Sequence, residues 1–350
     1  METPRIPYPV LEACIGGVLR ATGMNEQHAD ITARALAMTD LRGVHSHGTA
    51  QLTGYVRRLQ RGGIDPHGTP RVMHRHGAVA VLDGGGCIGH VAAELAMRLA
   101  MDIASESGIA AVAVRGTNHL GAAGHFARIA LERDMVGLIL TTAMPTMAPA
   151  GGRERVLGMN PIGVAIPAGD EPAVVLDAAF AAAARGRVML AHQAGRPLPE
   201  GWARDREGNP TTDPAAALSG LLEPIGGVKG AGLAVVFGLL ASAFSGAAFG
   251  PDVGDVEAGP TPGVDGSLAV VIDPAAFGPT ERFSGEVANG TRMLRESAPR
   301  TPGERVLLPG DRAAAATEDG LARGVLLPDA TFEELRALCA ELDVPFLAGS

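Results

Sequence analysis

A series of short apolar runs, at residues 136–142, 162–166 and 173–176, constrains the fold more than any other feature of the sequence. Their lengths and their branched side chains predict β-strands. These strands follow one another too closely for the helical crossovers that parallel neighbours require. Three further strands are predicted, at 78–83, 109–114 and 268–273. We therefore expect an α/β protein whose sheet is largely antiparallel or mixed.

Apolar residues at helical spacing predict helices between and beyond these strands. The predicted helices cover residues 27–42, about 48–60, 90–107 and 331–342. If the second of them begins at about residue 48, then His47, Gln51 and Tyr55 lie along one stripe. An uncharged stretch from Gly230 to Pro251 is long enough to suggest a membrane span, but its Ala, Gly and Ser content favours a helix buried in the core.

The charge and the cysteine content exclude several classes of partner. A formal net charge of −9 argues against binding to nucleic acid, which requires clustered Lys and Arg. Cys14, Cys87 and Cys339 form no pattern typical of a disulfide framework or a metal site, so we expect reduced thiols and no metal. The N-terminal residues lack a secretion signal, which favours a cytoplasmic protein without a membrane segment.

One glycine motif points to a dinucleotide-binding turn of the Rossmann type. Gly84, Gly86 and Gly89 follow a predicted strand and precede a predicted helix, which is the context that such a motif requires. However, the next strand ends in Arg115, where an acidic residue would bind the ribose, and the later strands do not alternate with helices. Since an Arg there could select a 2′-phosphate, the Rossmann interpretation stays open as an alternative.

Three segments carry polar residues that apolar packing does not explain. Ser46 and His47 lie where a loop enters a helix, His119 follows a strand, and Asp177 ends another. Each residue also has a structural interpretation, since Ser46 can cap a helix, His47 can lie on the surface and Asp177 can cap a strand end. Together, the serine, histidine and aspartate suggest a relay that fixes a tautomer and moves a proton. The loop amides after His119 could bind a phosphate.

A collinear set of motifs extends from about residue 5 to residue 346. In chain order the motifs are SHG (46–48), TNHLGAAGHFA (117–127), APAGG (148–152), GMNPIGVAIP (158–167), DAAFAAAARGRV (177–188), LPEGWARDREGNPTTDP (198–214), VKGAGLA (228–234), FSGA (244–247) and LPGDR (308–312). In these motifs the chain resembles the malate/L-lactate dehydrogenase family, which also contains ureidoglycolate and sulfolactate dehydrogenases and cyclic imino-acid reductases. The number of motifs in one order argues against a chance match.

The resemblance implies a homodimer whose NAD(P)-binding domain is not of the Rossmann type and which transfers hydride between NAD or NADP and a small-molecule substrate. It implies a helical, dimerising domain from residues 1–71 and 310–350, and a cofactor-binding and catalytic domain from 72–309. Carried over by position, the catalytic residues would be Ser46, His47, Asp177 and His119. The residues implied to contact the cofactor are His119, Leu120, Gly121, Ala122, Ala123, Lys229, Gly230, Pro309, Gly310 and Arg312.

The chain departs from the family where the substrate would lie. The position four residues after His47 is normally an Arg that binds the substrate carboxylate, and here it is Gln51. Two motif positions that normally hold Thr are Met159 and Phe180 in this chain. We therefore expect Gln51, Tyr55 and Met159 to line a more apolar pocket. Loss of the bidentate contact should weaken binding of a 2-oxo acid by something on the order of several kcal/mol.

Three functions follow as hypotheses. The first is a reductase of a ketone or cyclic imine that bears an amide, an ester or a bulky group, acting in a biosynthetic pathway. The second is an ordinary 2-hydroxy-acid dehydrogenase in which another cation, such as Arg57 or Arg185, replaces the missing Arg. The third is a non-catalytic relative that binds a ligand or partner. The sequence leaves open the choice of NAD or NADP, and whether His47 or His119 donates the proton.

Overall fold

The computed structural model describes residues 4–253 and 263–346 of the chain. The described strands are β1 (Arg71–His76), β2 (Val79–Asp83), β3 (Ile109–Thr117), β4 (Val136–Thr141), β5 (Pro145–Met147), β6 (Leu157–Gly158), β7 (Ile162–Ile166), β8 (Val174–Ala178), β9 (Ala203–Arg204), β10 (Pro210–Thr211), β11 (Leu221–Leu222) and β12 (Asp265–Ile272). The described helices are α1 (Tyr8–Ala21), α2 (Glu26–Leu41), α3 (Leu52–Gln60), α4 (Gly89–Ser107), α5 (Ala123–Ala127), α6 (Arg185–Gln193), α7 (Pro214–Ser219), α8 (Val228–Ala243), α9 (Thr280–Arg295), α10 (Asp311–Arg323) and α11 (Asp329–Glu341).

Seven of these strands form one sheet in the order β1-β2-β3-β12-β4-β7-β8. Strands β2 and β3 run parallel, and every other neighbouring pair in this sheet is antiparallel. The parallel pair is connected by α4, which packs on β3 and β12 as a crossover helix. The prediction of a largely antiparallel or mixed sheet is therefore confirmed, and each of the six predicted strands overlaps a strand of this sheet.

The helix predicted at about residues 48–60 begins later than expected. Helix α3 starts at Leu52, and two 3-10 turns, His45–His47 and Thr49–Gln51, precede it. Between the turns, Gly48 has φ −93° and ψ −137°, which interrupts the helical path. His47, Gln51 and Tyr55 therefore do not share one helical stripe, and that prediction is wrong. The other three predicted helices correspond to α2, α4 and α11.

The uncharged helix is α8, and it is buried on one face only. Small residues such as Ala234 and Gly238 face the protein, where α8 packs on β12 and β4. The larger side chains of Leu233, Val236 and Leu239 are about half exposed. The expected burial of the whole helix is therefore corrected to burial of its small-residue face. Within residues 4–253 and 263–346, no helix has the length and apolarity needed to cross a membrane.

The glycine-rich turn between β2 and α4 bonds to the protein itself. The N–H of Gly84 donates to the carbonyl of Arg115, and the N–H of Gly86 donates to the carbonyl of Gly116. Arg115 forms an ion pair with Asp83 at 3.0 Å. These amides and this arginine are occupied by protein groups, so the turn does not offer them to a pyrophosphate or a 2′-phosphate. Together with the antiparallel sheet, this excludes the Rossmann alternative.

One hydrophobic core joins the terminal helices to the sheet. Leu11 of α1, Leu36 of α2 and Val112 of β3 are fully buried members of this core. A β-bridge between Ile6 and Val325 ties the N-terminal segment to the chain between α10 and α11. The segments that we predicted as two domains therefore share one core, and the boundaries between them stay a prediction.

The three cysteines are buried, free thiols. The Sγ atoms of Cys14 in α1 and Cys339 in α11 are 3.2 Å apart, so this contact also joins the terminal helices. In the part of the chain that the structure describes, no group of three or more His, Cys, Asp and Glu residues is placed to hold a metal ion.

We expect Gly89→Ala to destabilise the protein although alanine favours helices. A Cβ at this first residue of α4 would lie 2.0 Å from the carbonyl oxygen of Asn118, so the backbone would have to move. The free energy of unfolding in urea should fall by about 1–3 kcal/mol, which is the usual cost of overpacking. Gly285→Ala in α9, where a Cβ meets nothing within 4 Å, should raise it by up to about 1 kcal/mol. Equal effects of the two substitutions would contradict this prediction.

Candidate active site

A buried carboxylate at the end of α2 holds the turn that carries Ser46 and His47. The side chain of Asp40 is fully buried and accepts a hydrogen bond from His45 Nδ1 at 2.9 Å. It also accepts bonds from the backbone N–H and the hydroxyl of Thr49, both at 2.6 Å. These three donors offset the hydration that the carboxylate loses on burial. A Cβ at Gly48 would lie 2.3 Å from the carboxyl carbon, so the turn folds closely around Asp40.

Ser46 and His47 are joined by a hydrogen bond of 2.9 Å between Ser46 Oγ and His47 Nδ1. The imidazole of His47 also faces that of His119, with ring centroids 5.9 Å apart. Burial lowers the pKa of His47, and the charge of Asp177 opposes this shift. His47 therefore has a hydroxyl bonded to one nitrogen and a carboxylate nearby, which are the groups that a proton relay uses.

Asp177 lies near the end of β8, close to the start of α5. Its partly enclosed position raises the pKa of its carboxyl group, while a hydrogen bond from the backbone N–H of Gly124 and the charges of His47 and Arg42 oppose the rise. A Cβ at Gly124 would lie 2.8 Å from the Cβ of Asp177, so strand and helix approach closely. Among the hydrogen bonds of the described residues none joins Asp177 to His47, and the two interact through charge.

His119 approaches His47 from the loop that follows β3. Its Nδ1 lies 2.7 Å from Tyr55 Oη. Tyr55 is fully buried, and burial raises the pKa of its phenol far above the usual range, so the hydroxyl stays protonated. Burial, followed by the charge of His47, lowers the pKa of His119 to about 3. His119 is therefore neutral at neutral pH, and in the tautomer that accepts the Tyr55 hydroxyl at Nδ1 its proton lies on Nε2.

The loop from residue 118 to 122 is fixed by contacts with three other segments. Asn118 accepts a hydrogen bond from Arg58 of α3 at 2.7 Å and donates one to the carbonyl of Cys87 at 3.1 Å. Gly121 has φ +78°, and a Cβ there would lie 2.7 Å from Nε2 of His90 in α4. Helix α3, the glycine-rich turn and α4 thus set the position of the loop residues that we expected to contact a cofactor.

A cavity of about 230 Å³ lies beside this loop. Its lining residues are Thr39, Arg42, Val44, Ala122, Gly124, His125, Val175, Leu176, Asp177, Pro309, Gly310, Arg312 and Ala313. The cavity therefore brings Asp177 together with four of the expected cofactor residues, Ala122, Pro309, Gly310 and Arg312, from distant parts of the sequence. The other expected loop residues, His119, Leu120, Gly121 and Ala123, do not line it.

Lys229 and Gly230, which we also expected to contact the cofactor, do not line this cavity. They begin α8, beside a second cavity of about 450 Å³. The segment after Asp177 runs from the first cavity toward the start of α8. There the carbonyl of Phe180 accepts a hydrogen bond from the N–H of Ile225, just before α8. The second cavity is lined in part by residues 148–152, Gly227, Val228 and Ala231. Four of the expected cofactor residues therefore line the first cavity, while Lys229 and Gly230 lie between residues that line the second without lining it themselves.

Gln51 and Tyr55, two of the expected substrate residues, have protein partners. Gln51 donates from Nε2 to the carbonyl of Ser46 at 2.8 Å, which closes the turn around His47. Tyr55 has no exposed surface and lies behind His119, to which its hydroxyl is bonded. Gln51 is therefore beside the candidate relay, whereas Tyr55 reaches it through His119.

Met159 and Phe180 belong to a second hydrophobic cluster. Phe180 is buried with its ring 5.3 Å from that of Phe237, and Met159 packs against the same cluster. The N–H of Phe180 donates to the carbonyl of Met159 at 3.1 Å. Neither residue lines the two cavities, so contact between Met159 and a substrate stays a prediction.

Sequence reasoning missed two polar residues that shape the site. Asp40 bonds to residues five and nine positions later, and no motif marks that spacing. Asn160 has φ +37°, and its buried amide accepts from the N–H of Ala143 at 3.0 Å and donates to the carbonyl of Ala234 at 2.8 Å. The Asn-Pro pair in GMNPIG was a usable signal for it, because Asn tolerates a positive φ.

Comparison with known proteins finds relatives over most of the chain. The family model described as malate/L-lactate dehydrogenase matches residues 6–336. The Delta(1)-pyrroline-2-carboxylate reductase of Ancylobacter novellus is 35% identical over 96% of this chain and 98% of that protein. The (2R)-3-sulfolactate dehydrogenase (NADP(+)) of Chromohalobacter salexigens is 36% identical over 91% and 93%. The solved structure of sulfolactate dehydrogenase from Methanocaldococcus jannaschii has a TM-score of 0.90 at 34% identity and covers 98% of each chain.

We expect His90 to make the protein less stable in acid. Its ring is 1% exposed, its Nδ1 has no partner in the described structure, and burial, followed by the charge of His125, lowers its pKa to about 3. Between that value and 6.5 the unfolded chain binds a proton that the folded chain does not, so stability is lost as the pH falls below 6.5.

His90→Phe should therefore make the slope of unfolding free energy against pH shallower by about 1.4 kcal/mol per pH unit in this range. Urea unfolding at a series of pH values measures the slope. Identical slopes for the wild type and the variant would show that His90 does not titrate in this way.

Proposed function

The chain belongs to the malate/L-lactate dehydrogenase family and is an oxidoreductase, and we propose that it transfers hydride between NAD(P)H and a ketone or a cyclic imine. The observation that carries the proposal is the position of His47, which is bonded to Ser46 and close to Asp177. Asp177 also lines the cavity that contains Pro309 and Gly310. A bound nicotinamide supplies the hydride, so the chain itself has to supply the proton.

His47 is the better placed of the two candidate proton donors. The carboxylate of Asp177 favours the charged form of His47. The groups whose charges act on His119 are other histidines and an arginine, all of which disfavour a proton on it. Its Nδ1 is also taken by Tyr55. We therefore assign proton transfer to His47, and assign to the Nε2–H of His119 a hydrogen bond that orients the substrate.

The first cavity fits the anionic part of a nicotinamide dinucleotide. Arg42 and Arg312 line it, and so does Gly310, the residue that precedes the first residue of α10. A Cβ at Gly310 would lie 3.0 Å from the N of Val175, so glycine lets the two backbones approach. At about 230 Å³ the cavity is smaller than the ~300–1,000 Å³ typical of a ligand site, so it would hold one part of the cofactor. The proposal is that Lys229, beside the second cavity, contacts another part.

The proposal about the substrate is based on Gln51. In the family this position is normally an Arg that binds the substrate carboxylate, whereas Gln51 is uncharged and its Nε2 is already bonded to the carbonyl of Ser46. A carboxylate placed there would lose a charge-assisted contact worth roughly 1.5–3 kcal/mol. We therefore propose a substrate in which an amide, an ester or a bulky group stands where a free carboxylate would be.

A 2-hydroxy-acid dehydrogenase is the second candidate, and the position of α6 favours it. A Cβ at Gly186 would lie 3.9 Å from the Cβ of Ser46, so the start of α6, which includes Arg185, is next to the relay turn. Arg57, the other cation considered, forms a bidentate pair with Glu341 at 2.6 Å on the surface. In this alternative Arg185 binds the substrate carboxylate in place of the missing Arg.

Exposed apolar side chains support the homodimer that the resemblance implies. Leu233, Val236 and Leu239 on α8, with Met293 and Leu294 on α9, are each 45–65% exposed. A second copy that covered these side chains would remove them from water. Both helices belong to residues 72–309, so the proposed dimer interface includes the predicted catalytic domain and is not confined to the terminal helices.

We expect His47→Ala to lower kcat by about 10²–10⁴-fold, the usual contribution of a general acid. NAD(P)H binding should be unchanged, because His47 does not line the cavity. Turnover is followed by NAD(P)H absorbance with a panel of ketones, cyclic imines and 2-oxo acids, and cofactor binding by fluorescence titration. His119→Gln, which keeps an N–H donor, should lose less activity. Undiminished turnover in folded His47→Ala protein would overturn the assignment of the proton donor.

Gln51→Arg should raise kcat/KM for a free 2-oxo acid by about 10- to 100-fold, because it restores a cation that can bind the carboxylate. The kcat/KM for the amide of the same acid should be unchanged. Gln51→Met, which adds no charge and removes the N–H that bonds to Ser46, shows the effect of losing that contact alone. The measurement is the ratio of kcat/KM for the acid and the amide in each protein. The 2-hydroxy-acid alternative would be established by two results together. The wild type would strongly prefer the acid to the amide, and the Arg185→Gln variant would not.

A further inference from the structure

Two cysteine thiols meet between the first and the last of the described helices. The Sγ atoms of Cys14 in α1 and Cys339 in α11 are 3.2 Å apart, although the two residues are separated by 325 positions in the chain. Ordinary contacts between carbon atoms are ~3.5–4.0 Å long. A disulfide bond is about 2.05 Å long, so the sulfur atoms would have to approach by only about 1 Å to form one.

The packing of α1 against α11 holds these two sulfur atoms together. Leu11 of α1 and Leu335 of α11 belong to the same buried core as both cysteines. Cys339 is fully buried, whereas Cys14 is 6% exposed. The pair therefore lies next to the surface, where a small oxidant can reach it.

The third cysteine is in a different environment. Cys87 is fully buried, and its Sγ donates to the carbonyl of Ile88 at 3.4 Å. Burial raises the pKa of its thiol to about 12. By contrast, a hydrogen bond from Cys14 lowers the pKa of the Cys339 thiol. Because the thiolate is the reactive form of cysteine, Cys339 should be oxidised more readily than Cys87.

We propose that Cys14 and Cys339 form a reversible disulfide bond when the protein is exposed to a peroxide. The thiolate of Cys339 attacks one oxygen of the peroxide, breaks the O–O bond and becomes a sulfenic acid, with release of hydroxide. The thiolate of Cys14 then attacks that sulfur, forms the S–S bond and displaces a second hydroxide. The two protons from the thiols convert the hydroxides to water. Exchange with a thiol reductant restores both cysteines.

The bond would tie α1 to a helix that lies against the candidate active site. Helix α11 packs on α3 and on the 3-10 turn Thr49–Gln51. Glu341, the last residue of α11, also forms a bidentate pair with Arg57 of α3. A link between Cys14 and Cys339 closes almost the whole chain into one loop, which reduces the conformational freedom of the unfolded state. The oxidised protein should therefore resist unfolding better than the reduced one, whatever reaction the chain catalyses.

The first test treats the folded, full-length protein with hydrogen peroxide under conditions that oxidise free glutathione completely. The remaining thiols are alkylated in urea, and a digest made without reductant is analysed by mass spectrometry. We expect one pair of peptides linked through Cys14 and Cys339, with Cys87 alkylated, and dithiothreitol should remove the link. Absence of the link overturns the proposal. A link between two chains, which non-reducing electrophoresis detects, also overturns it.

The melting temperature separates this disulfide from other products of oxidation. Peroxide should raise the melting temperature of the wild type by about 3–6 °C, and dithiothreitol should reverse the rise. Cys14→Ser, which keeps a hydroxyl beside Cys339, should show no rise, and the matched control Cys87→Ser should behave like the wild type. Each protein is compared with its own reduced form, so a general loss of stability in a variant does not affect the result. An equal rise in Cys14→Ser would overturn the proposal, because the rise would then not come from this bond.

Discussion

The buried carboxylate of Asp40 is the interaction on which the candidate site most depends. It takes donors from both sides of the Ser46–His47 pair, and so fixes a turn that has no regular helix or strand of its own. Breaking the contact would leave a charge in the interior without its donors, which is far more costly than losing a surface bond. The same end of α2 carries Arg42, so one helix terminus positions both the candidate relay and one of the two arginines that line the first cavity.

The other candidate residues of the site come from the sheet. The shared hydrophobic core fixes how far they lie from the turn that carries Ser46 and His47. Strand β8 presents Asp177, and β3 leads into the loop that carries His119. The loop is clamped between Arg58 of α3 and the start of α4, where Gly89 leaves no room for a side chain. Residues of α3 and α4 belong to the same core as the terminal helices and the sheet, so these elements pack against one another. The site therefore forms where the two predicted domains meet.

The sequence predicted the features that depend on local patterns. The strands follow from short runs of branched apolar residues, and Ser46 and His47 are neighbours in any fold. The family resemblance was needed to associate Asp177 with them, because no local pattern joins residues so far apart. The start of α3 could not be predicted, since apolar spacing does not show that Gly48 adopts a non-helical ψ. Nor could the contact of Gln51 with Ser46, which depends on a side-chain conformation.

The partners of Gln51 explain how the substrate can change while the proton chemistry is kept. Its Nε2 closes the turn by bonding to the carbonyl of Ser46, a contact that needs an N–H donor but no charge. An uncharged residue that carries an N–H donor therefore keeps the turn closed at this position, whereas a Cβ at Gly48 would collide with Asp40. Position 51 can vary with the group that the substrate presents. Asp40 and Gly48 cannot, because they determine where His47 lies.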